Sequence, residues 1–253
     1  MCPVLFELGP LTVHAYGVFV AAGYLLALGW TLAEARRLGL DQGKVPDLGL
    51  WVLLGGFLGA RLLYVAIHPL YFWAHPLEIV MVWKGGLVLF GGVLSGALLG
   101  LVFMRKMGLP LRPWLDALAP GLVLGQGVGR LGCLSAGCCY GETTDLPWGL
   151  VFTDPDSLAR PLGLALHPTQ AYHAASDLAV FALLVAVRSR VKVPGRLMGL
   201  GLFLSAAFRL LIECFRADFR GELGPFTVTQ VLALGILGLG AGLLVHKPKE
   251  KKA

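Results

Sequence analysis

Residues 86–104 read GLVLFGGVLSGALLGLVFM, an unbroken run without a charged side chain. A hydrocarbon core about 30 Å thick needs about 20 predominantly apolar residues per helix, so this stretch reads as a membrane span. Working outward from it, six further apolar stretches appear near 11–33, 46–67, 113–131, 168–187, 196–215 and 225–245. The first and last are also free of charge over most of their length. The whole chain agrees: its 253 residues are 57% hydrophobic and 14% charged, with a mean hydropathy of +0.75, where a soluble domain carries about 25% charged residues. The 35 glycines suit helices that pack closely in lipid, where small residues let backbones approach. The expected fold is an all-α membrane protein of about seven transmembrane helices, a single integral domain over 1–253. The longest polar insertion, 132–166, holds CCYGETTDLPWG and FTDPDSLARP and is expected to form a small loop-rich cap.

Orientation follows from the basic residues of the connections. Arg36, Arg37 and Lys44, then Arg105, Lys106 and Arg112, then Arg188, Arg190, Lys192 and Arg196, and finally Lys247, Lys249, Lys251 and Lys252 fall on one side, fourteen of the 21 basic residues. The other side has Lys84, Arg160, Arg220 and a few arginines at or inside helix ends. This places the amino terminus and the cap outside and the carboxyl terminus in the cytoplasm. The opening MCPVLFELGP lacks a basic region and a small-residue cleavage site, so the first span is expected to be retained. The tail HKPKEKKA reads as a solvated cytoplasmic anchor, too short to argue for nucleic-acid binding.

Charged groups inside spans are costly and point to function. Arg61, Arg130, Arg209 and Glu213 all fall in the outer halves of their helices, at the level of His14, Tyr16 and His167. Arg209, Glu213 and Arg216 share one helical face by spacing, as do Arg61 and Tyr64. Each has a bland reading: an internal Arg209–Glu213 ion pair, a snorkelling Arg61, a helix-packing hydrogen bond for Asp177, and interfacial or packing roles for His68, His75 and His173. Several guanidiniums at headgroup depth nevertheless make a grip for a phosphodiester that Lys cannot match. The glycines of GQGVGRLG around Arg130, Gly129 among them, would let a lipid approach closely. The natural ligand is a phospholipid headgroup in the bilayer.

Five cysteines, Cys2, Cys133, Cys138, Cys139 and Cys214, are an odd count for a disulfide framework. Cys133, Cys138 and Cys139 lie close in sequence, but a zinc site wants a fourth ligand and none is evident. Structural cysteines are expected, with room for one local disulfide, and no metal or cofactor.

The stretch GQGVGRLGCLSAGCCYG at 125–141 resembles the signature region of the prolipoprotein diacylglyceryl transferases. HAYG at 14–17, GARLLY at 59–64, KGGLVLFGG at 84–92, HPTQAY at 167–172 and FRLLIECFRAD at 208–218 follow in family order. The resemblance implies a bacterial inner-membrane enzyme with a periplasmic cap. It would move diacylglycerol from phosphatidylglycerol to the lipobox cysteine of a prolipoprotein signal peptide, giving a thioether and glycerol phosphate. It further implies that Arg130 and Arg209 handle the phosphate as catalytic residues, with Tyr16 and Glu213. Arg61, Tyr64, Gly129, Gly141, His14, His167, Gln170 and Arg216 would contact substrate. The nucleophile belongs to the substrate. Four positions depart from the family pattern: Phe90 stands where many members have the His of HGG, Cys133 where they have Asn, and Ala136 and Cys138 replace the following Asn-x-Glu. The His has been proposed as the base that activates the thiol, so that role passes here to His14, His167, Tyr16 or Glu213, or to no protein group. A transporter or flippase-like protein, an inactive lipid-binding homologue and a homologue with another acceptor are the competing readings.

Overall fold

The computed structural model describes residues 4–8, 11–82, 85–217, 222–223 and 225–246. Cys2, Lys84, Asp218, Arg220 and the tail lysines lie outside the described residues. The chain is mostly helical and divides into two compact units, residues 1–34 with 115–253, and residues 35–114.

In the larger unit an antiparallel hairpin, β1 (Val4–Leu8) with β2 (Leu11–His14), leads into α1 (Ala15–Arg37). The first span therefore starts later than expected, because Leu11–His14 pairs as a strand. Helix α5 (Leu111–Ala136), α6 (Thr169–Val187), α7 (Arg196–Glu213) and α8 (Val228–Val245) complete the unit. Ala119, Val123, Val180, Leu184, Leu197 and Met198 form the core between α5, α6 and α7. At one end of these helices, Gly195 begins α7 without a side chain to cap it. Asp116 of α5 does so instead, accepting from the backbone N–H groups of Gly195 (2.6 Å) and Met198 (2.9 Å). At the same end Arg188 pairs with the buried Glu34 of α1 and lies over Trp30.

The smaller unit holds α2 (Lys44–Ile67), the short α3 (Pro69–Ala74), a 3-10 turn (Pro76–Val80) and α4 (Leu89–Lys106). Helices α2 and α4 touch backbone to backbone. A Cβ on Gly59 would collide with the Ser95 side chain and the Gly91 carbonyl, and one on Gly91 with the Gly59 carbonyl. That closeness is what small residues allow in lipid.

Six helices, α1, α2, α4, α5, α6 and α8, are long and apolar enough to cross a membrane. Helix α7 has the length but carries Arg196, Arg209 and Glu213; with it, the expected count of about seven stands. Helix α5 runs on to Ala136, past the expected end of the span at 131, and Gly137, at φ +75°, turns the chain into the polar insertion. The insertion has a small core of its own, Phe152, Ala159 and Leu166, beside a two-stranded ribbon of β3 (Leu150–Val151) and β4 (Ala165–Leu166). A last pair, β5 (Glu222–Leu223) and β6 (Phe226–Thr227), precedes α8.

Candidate functional site

Opposite the Asp116 end of the larger unit, five helix ends come together. Tyr16 opens α1, Arg130 lies near the end of α5, Gln170 opens α6, Arg209 and Glu213 close α7, and Thr227 caps α8. Arg130 is buried, 8% exposed, and its charge acts on Tyr16, Cys133, His173 and Asp177. Arg209 acts on His173 and Asp177, and Arg216 on His173 and Cys139. Three guanidiniums thus lie within electrostatic reach of one buried histidine, whose Nε2 has no hydrogen-bond partner among the described residues. Asp177 takes both of its hydrogen bonds from Gln126 Nε2 (3.0 and 3.1 Å), the cross-helix packing bond expected of it. Glu213 Oε1 accepts from Thr227 Oγ1 (3.2 Å), while Oε2 is buried without a hydrogen-bond partner among the described residues. Thr227 is also the capping-box residue of α8, so the carboxylate sits at a helix N-terminus that favours negative charge.

The turn after α5 is tied down from α6. Thr169 Oγ1 donates to the Cys139 carbonyl (2.5 Å) and Gln170 Nε2 to the Cys138 carbonyl (2.7 Å); both side chains are fully buried. Cys139 is the single non-glycine with positive φ, +62°, among the described residues, a conformation costing about 1–3 kcal/mol that persists only where surroundings impose it. Hydrogen bonds with the Cys133 and Cys138 thiols, and then with Arg216, hold the Cys139 thiol well below the usual thiol range; contacts with Cys133 and Cys139 push Cys138 up. The Sγ atoms of Cys133, Cys138 and Cys139 all lie within 4.8 Å of one another, and none of the three is in a disulfide.

Gly141 bridges to Arg216 and donates to the His167 carbonyl (2.9 Å). A Cβ there would strike the Phe215 carbonyl oxygen, so this glycine sets the path of the segment after α7 that carries Arg216. His167 Nδ1 meets the Tyr172 hydroxyl at 3.2 Å, and its ring packs on Tyr172 and Phe215. His14 and Tyr16 are exposed. Of the glycines near Arg130, Gly125 and Gly132 face α1, and Gly127 faces Asp177. A Cβ on Gly129 would meet nothing within 4 Å, which leaves open space beside Arg130.

The smaller unit uses its buried arginine differently. Arg61 donates from Nε to Ile79 O (2.9 Å), from Nη1 to Gly85 O (2.7 Å) and Gly86 O (3.1 Å), and from Nη2 to Glu78 O and to Met81 O (3.4 Å). All five donors of the guanidinium point at backbone carbonyls. The group lies over the rings of Tyr64 and Phe72, 5.6 and 5.3 Å from their centres. Arg61 therefore neither snorkels nor offers a donor to a phosphate in this arrangement; it holds the backbone of Glu78, Ile79, Met81, Gly85 and Gly86. Tyr64 stands in the same cluster, packed against Gly86, beside a cavity of about 250 Å³.

Sequence reasoning missed His173, read as a packing residue. The signal was spacing: Gln170, His173 and Asp177 share one face of α6, and all three are buried. The three cysteines, close in sequence and set aside as a zinc site for want of a fourth ligand, are brought together in space.

Helices long and apolar enough to cross a bilayer, with buried arginines at one end, define a multi-pass membrane protein with a cationic cluster. The family model described as prolipoprotein diacylglyceryl transferase matches residues 3–246, and the chain belongs to that family. It is similar to the phosphatidylglycerol–prolipoprotein diacylglyceryl transferases of Geobacter sulfurreducens, 35% identical over 98% of this chain and 96% of the relative, and of Clostridium tetani, 31% identical over 95% of each. The enzyme of that name from Trichormus variabilis is 34% identical over 95% of this chain and 88% of the relative.

Proposed function

We propose that this protein is a transferase that moves the diacylglyceryl group of phosphatidylglycerol to the lipobox cysteine of prolipoproteins. The observation that carries this reading is the placement of Arg130, Arg209 and Arg216 within electrostatic reach of His173, a cationic site in a chain of spanning helices whose family takes its name from this reaction. In the step, the acceptor sulfur attacks the glyceryl carbon attached to the phosphodiester. The S–C bond forms, the C–O bond breaks, and its electron pair leaves on the phosphate oxygen of glycerol phosphate.

Arg130 and Arg209 would grip the phosphodiester with paired donors and stabilise the charge that develops on that oxygen. Arg216, steered by Gly141, completes the positive field. Tyr16 and Glu213 lie at the rim where proton movement is needed, and Gly129 leaves room for lipid. His14 and His167 frame the entry from the cap, Gln170 holds the turn that carries Cys138, and Arg61 with Tyr64 shapes residues 78–82 and 85–86.

The basic loops support a cytoplasmic face for residues 36–44, 105–112 and 188–196, with the amino terminus and the cap on the periplasmic side of the inner membrane. Single-cysteine labelling from outside should reach residue 156 and miss those loops; efficient labelling of the loops reverses the orientation. The reaction is tested with purified protein in phosphatidylglycerol and a lipobox peptide. Thioether product with released glycerol phosphate is expected, and lipid binding or movement without product defeats the assignment.

A further inference from the structure

We propose that Cys133, Cys138 and Cys139 form a binding site for one thiophilic divalent cation, Zn²⁺ in the first instance, with a fourth coordination position that takes the thiol of the acceptor cysteine. The fourth ligand rests on the transferase reading above; the three protein ligands do not.

Distance argues first. The three Sγ atoms lie within 4.8 Å of one another. A tetrahedral Zn²⁺ with bonds of about 2.3 Å spaces its sulfurs about 3.8 Å apart, so a contraction of about 1 Å closes the site. A disulfide needs about 2.05 Å and would leave the third thiol over. Placement argues next. Cys133 comes from the last turn of α5, and Cys138 and Cys139 follow the Gly137 reversal. The backbone that presents the pair is pinned by the buried Thr169 and Gln170, the kind of outer support that orients metal ligands.

Charge argues third. Three thiolates around a divalent cation carry one net negative charge, and two cations stand ready for it: Arg216, hydrogen-bonded to Cys139, and Arg130, whose charge acts on Cys133. Three sulfur donors with one position open is the pattern of a zinc site that handles a substrate.

Chemistry supplies the last link. A thiol bound to zinc is deprotonated outright. The acceptor S–H would give its proton to the buffer as the S–metal bond forms, so no histidine at the position of Phe90 would be needed. The bound thiolate then attacks as described above, and the thioether, a weaker ligand, departs.

The test uses the full-length protein purified in detergent under reducing conditions. About one Zn²⁺ per chain is expected by elemental analysis. Co²⁺ should replace it with the intense sulfur-to-metal absorption of a tetrahedral thiolate site. Cys214→Ser should retain that spectrum; Cys133→Ser, Cys138→Ser and Cys139→Ser should lose it. Because a cysteine variant can fail to fold, the wild-type measurements carry the decision. A reduced, folded wild-type protein that binds neither ion overturns the proposal, as does an intact mass lacking two hydrogens in metal-free active protein. Adding a lipobox peptide to the Co²⁺ form should shift the spectrum, and its Cys→Ser counterpart should not. Metal binding without that difference removes the fourth-ligand assignment.

The two readings fail separately. Full transfer activity in chelated, metal-free protein ends the metal proposal and leaves the transferase. A thiol-dependent spectral shift with no thioether formed from phosphatidylglycerol does the reverse.

Discussion

Arg61 and Arg130 are equally buried, 7% and 8% exposed, yet they have opposite uses. Around Arg61 the chain has folded its own carbonyls onto every N–H, so the cation organises a loop and has nothing left to give. Around Arg130, and with it Arg209 and Arg216, the neighbours are a histidine whose Nε2 has no hydrogen-bond partner among the described residues, thiols, and the carboxylate of Asp177. Burial of a charge inside a membrane helix is therefore half of an argument for function. The other half is the chemistry of the groups gathered around it.

Substitutions to Lys separate the two uses. Arg130→Lys and Arg209→Lys keep a charge but lose the planar fork; transfer is expected to fall about 100- to 1,000-fold, with the thermal midpoint in detergent little changed. Near-normal turnover in either variant would remove the phosphate grip. Arg61→Lys should show the converse. An ammonium has three donors for five carbonyls, and each carbonyl stranded in the interior costs about 1–3 kcal/mol. The midpoint should drop by several degrees, while activity per folded molecule suffers less than in the other two. An Arg61 variant that is stable and inactive would merge the two sites into one class.

Two smaller effects sharpen the larger unit's side of the contrast. Gly141→Ala forces a methyl group into the Phe215 carbonyl and should cost about 1–3 kcal/mol, with transfer falling further than stability because Arg216 is displaced. A variant as stable and active as wild type would free Arg216 from that segment. Thr227→Ala removes the cap of α8 and the hydrogen bond to Glu213, a loss of about 1 kcal/mol by denaturant unfolding. No measurable change would mean that α8 holds its first turn by packing alone.

The spans were legible because a bilayer imposes a length and a polarity that few other environments demand; α2, α6 and α7 lie within about two residues of where the hydropathy placed them. What lay between them was not. Residues 68–80 contain His68-Pro69-Leu70 and His75-Pro76-Leu77, and each proline opens a short helical turn, as its fixed φ allows at a first helical position. A single turn has too little periodicity to show in a window of residues. The arginines of the site were found because charge in lipid is conspicuous. His173 was not, because its role depends on which way α6 faces. The arrangement of the thiols escaped for a related reason: Cys133 lies on a helix that runs five residues past the expected end, and only the reversal at Gly137 brings the later pair back to it.

Asp116 has a bearing beyond the cap it provides. By holding the first turn of α7 from within α5, it gives both helices a common zero mark. Arg130 then lies about 21 Å along one helix from that mark, and Arg209 about 16 Å along the other, at 1.5 Å per residue. A residue inserted anywhere between mark and arginine would raise that arginine by about 1.5 Å and swing it about 100° around its axis, turning it out of the cluster while every contact at Asp116 stayed intact. The spacing of the two arginines is in that sense written in residue counts from a carboxylate at the far end of the helices, and the chain can tolerate change along these segments in composition far more readily than in length.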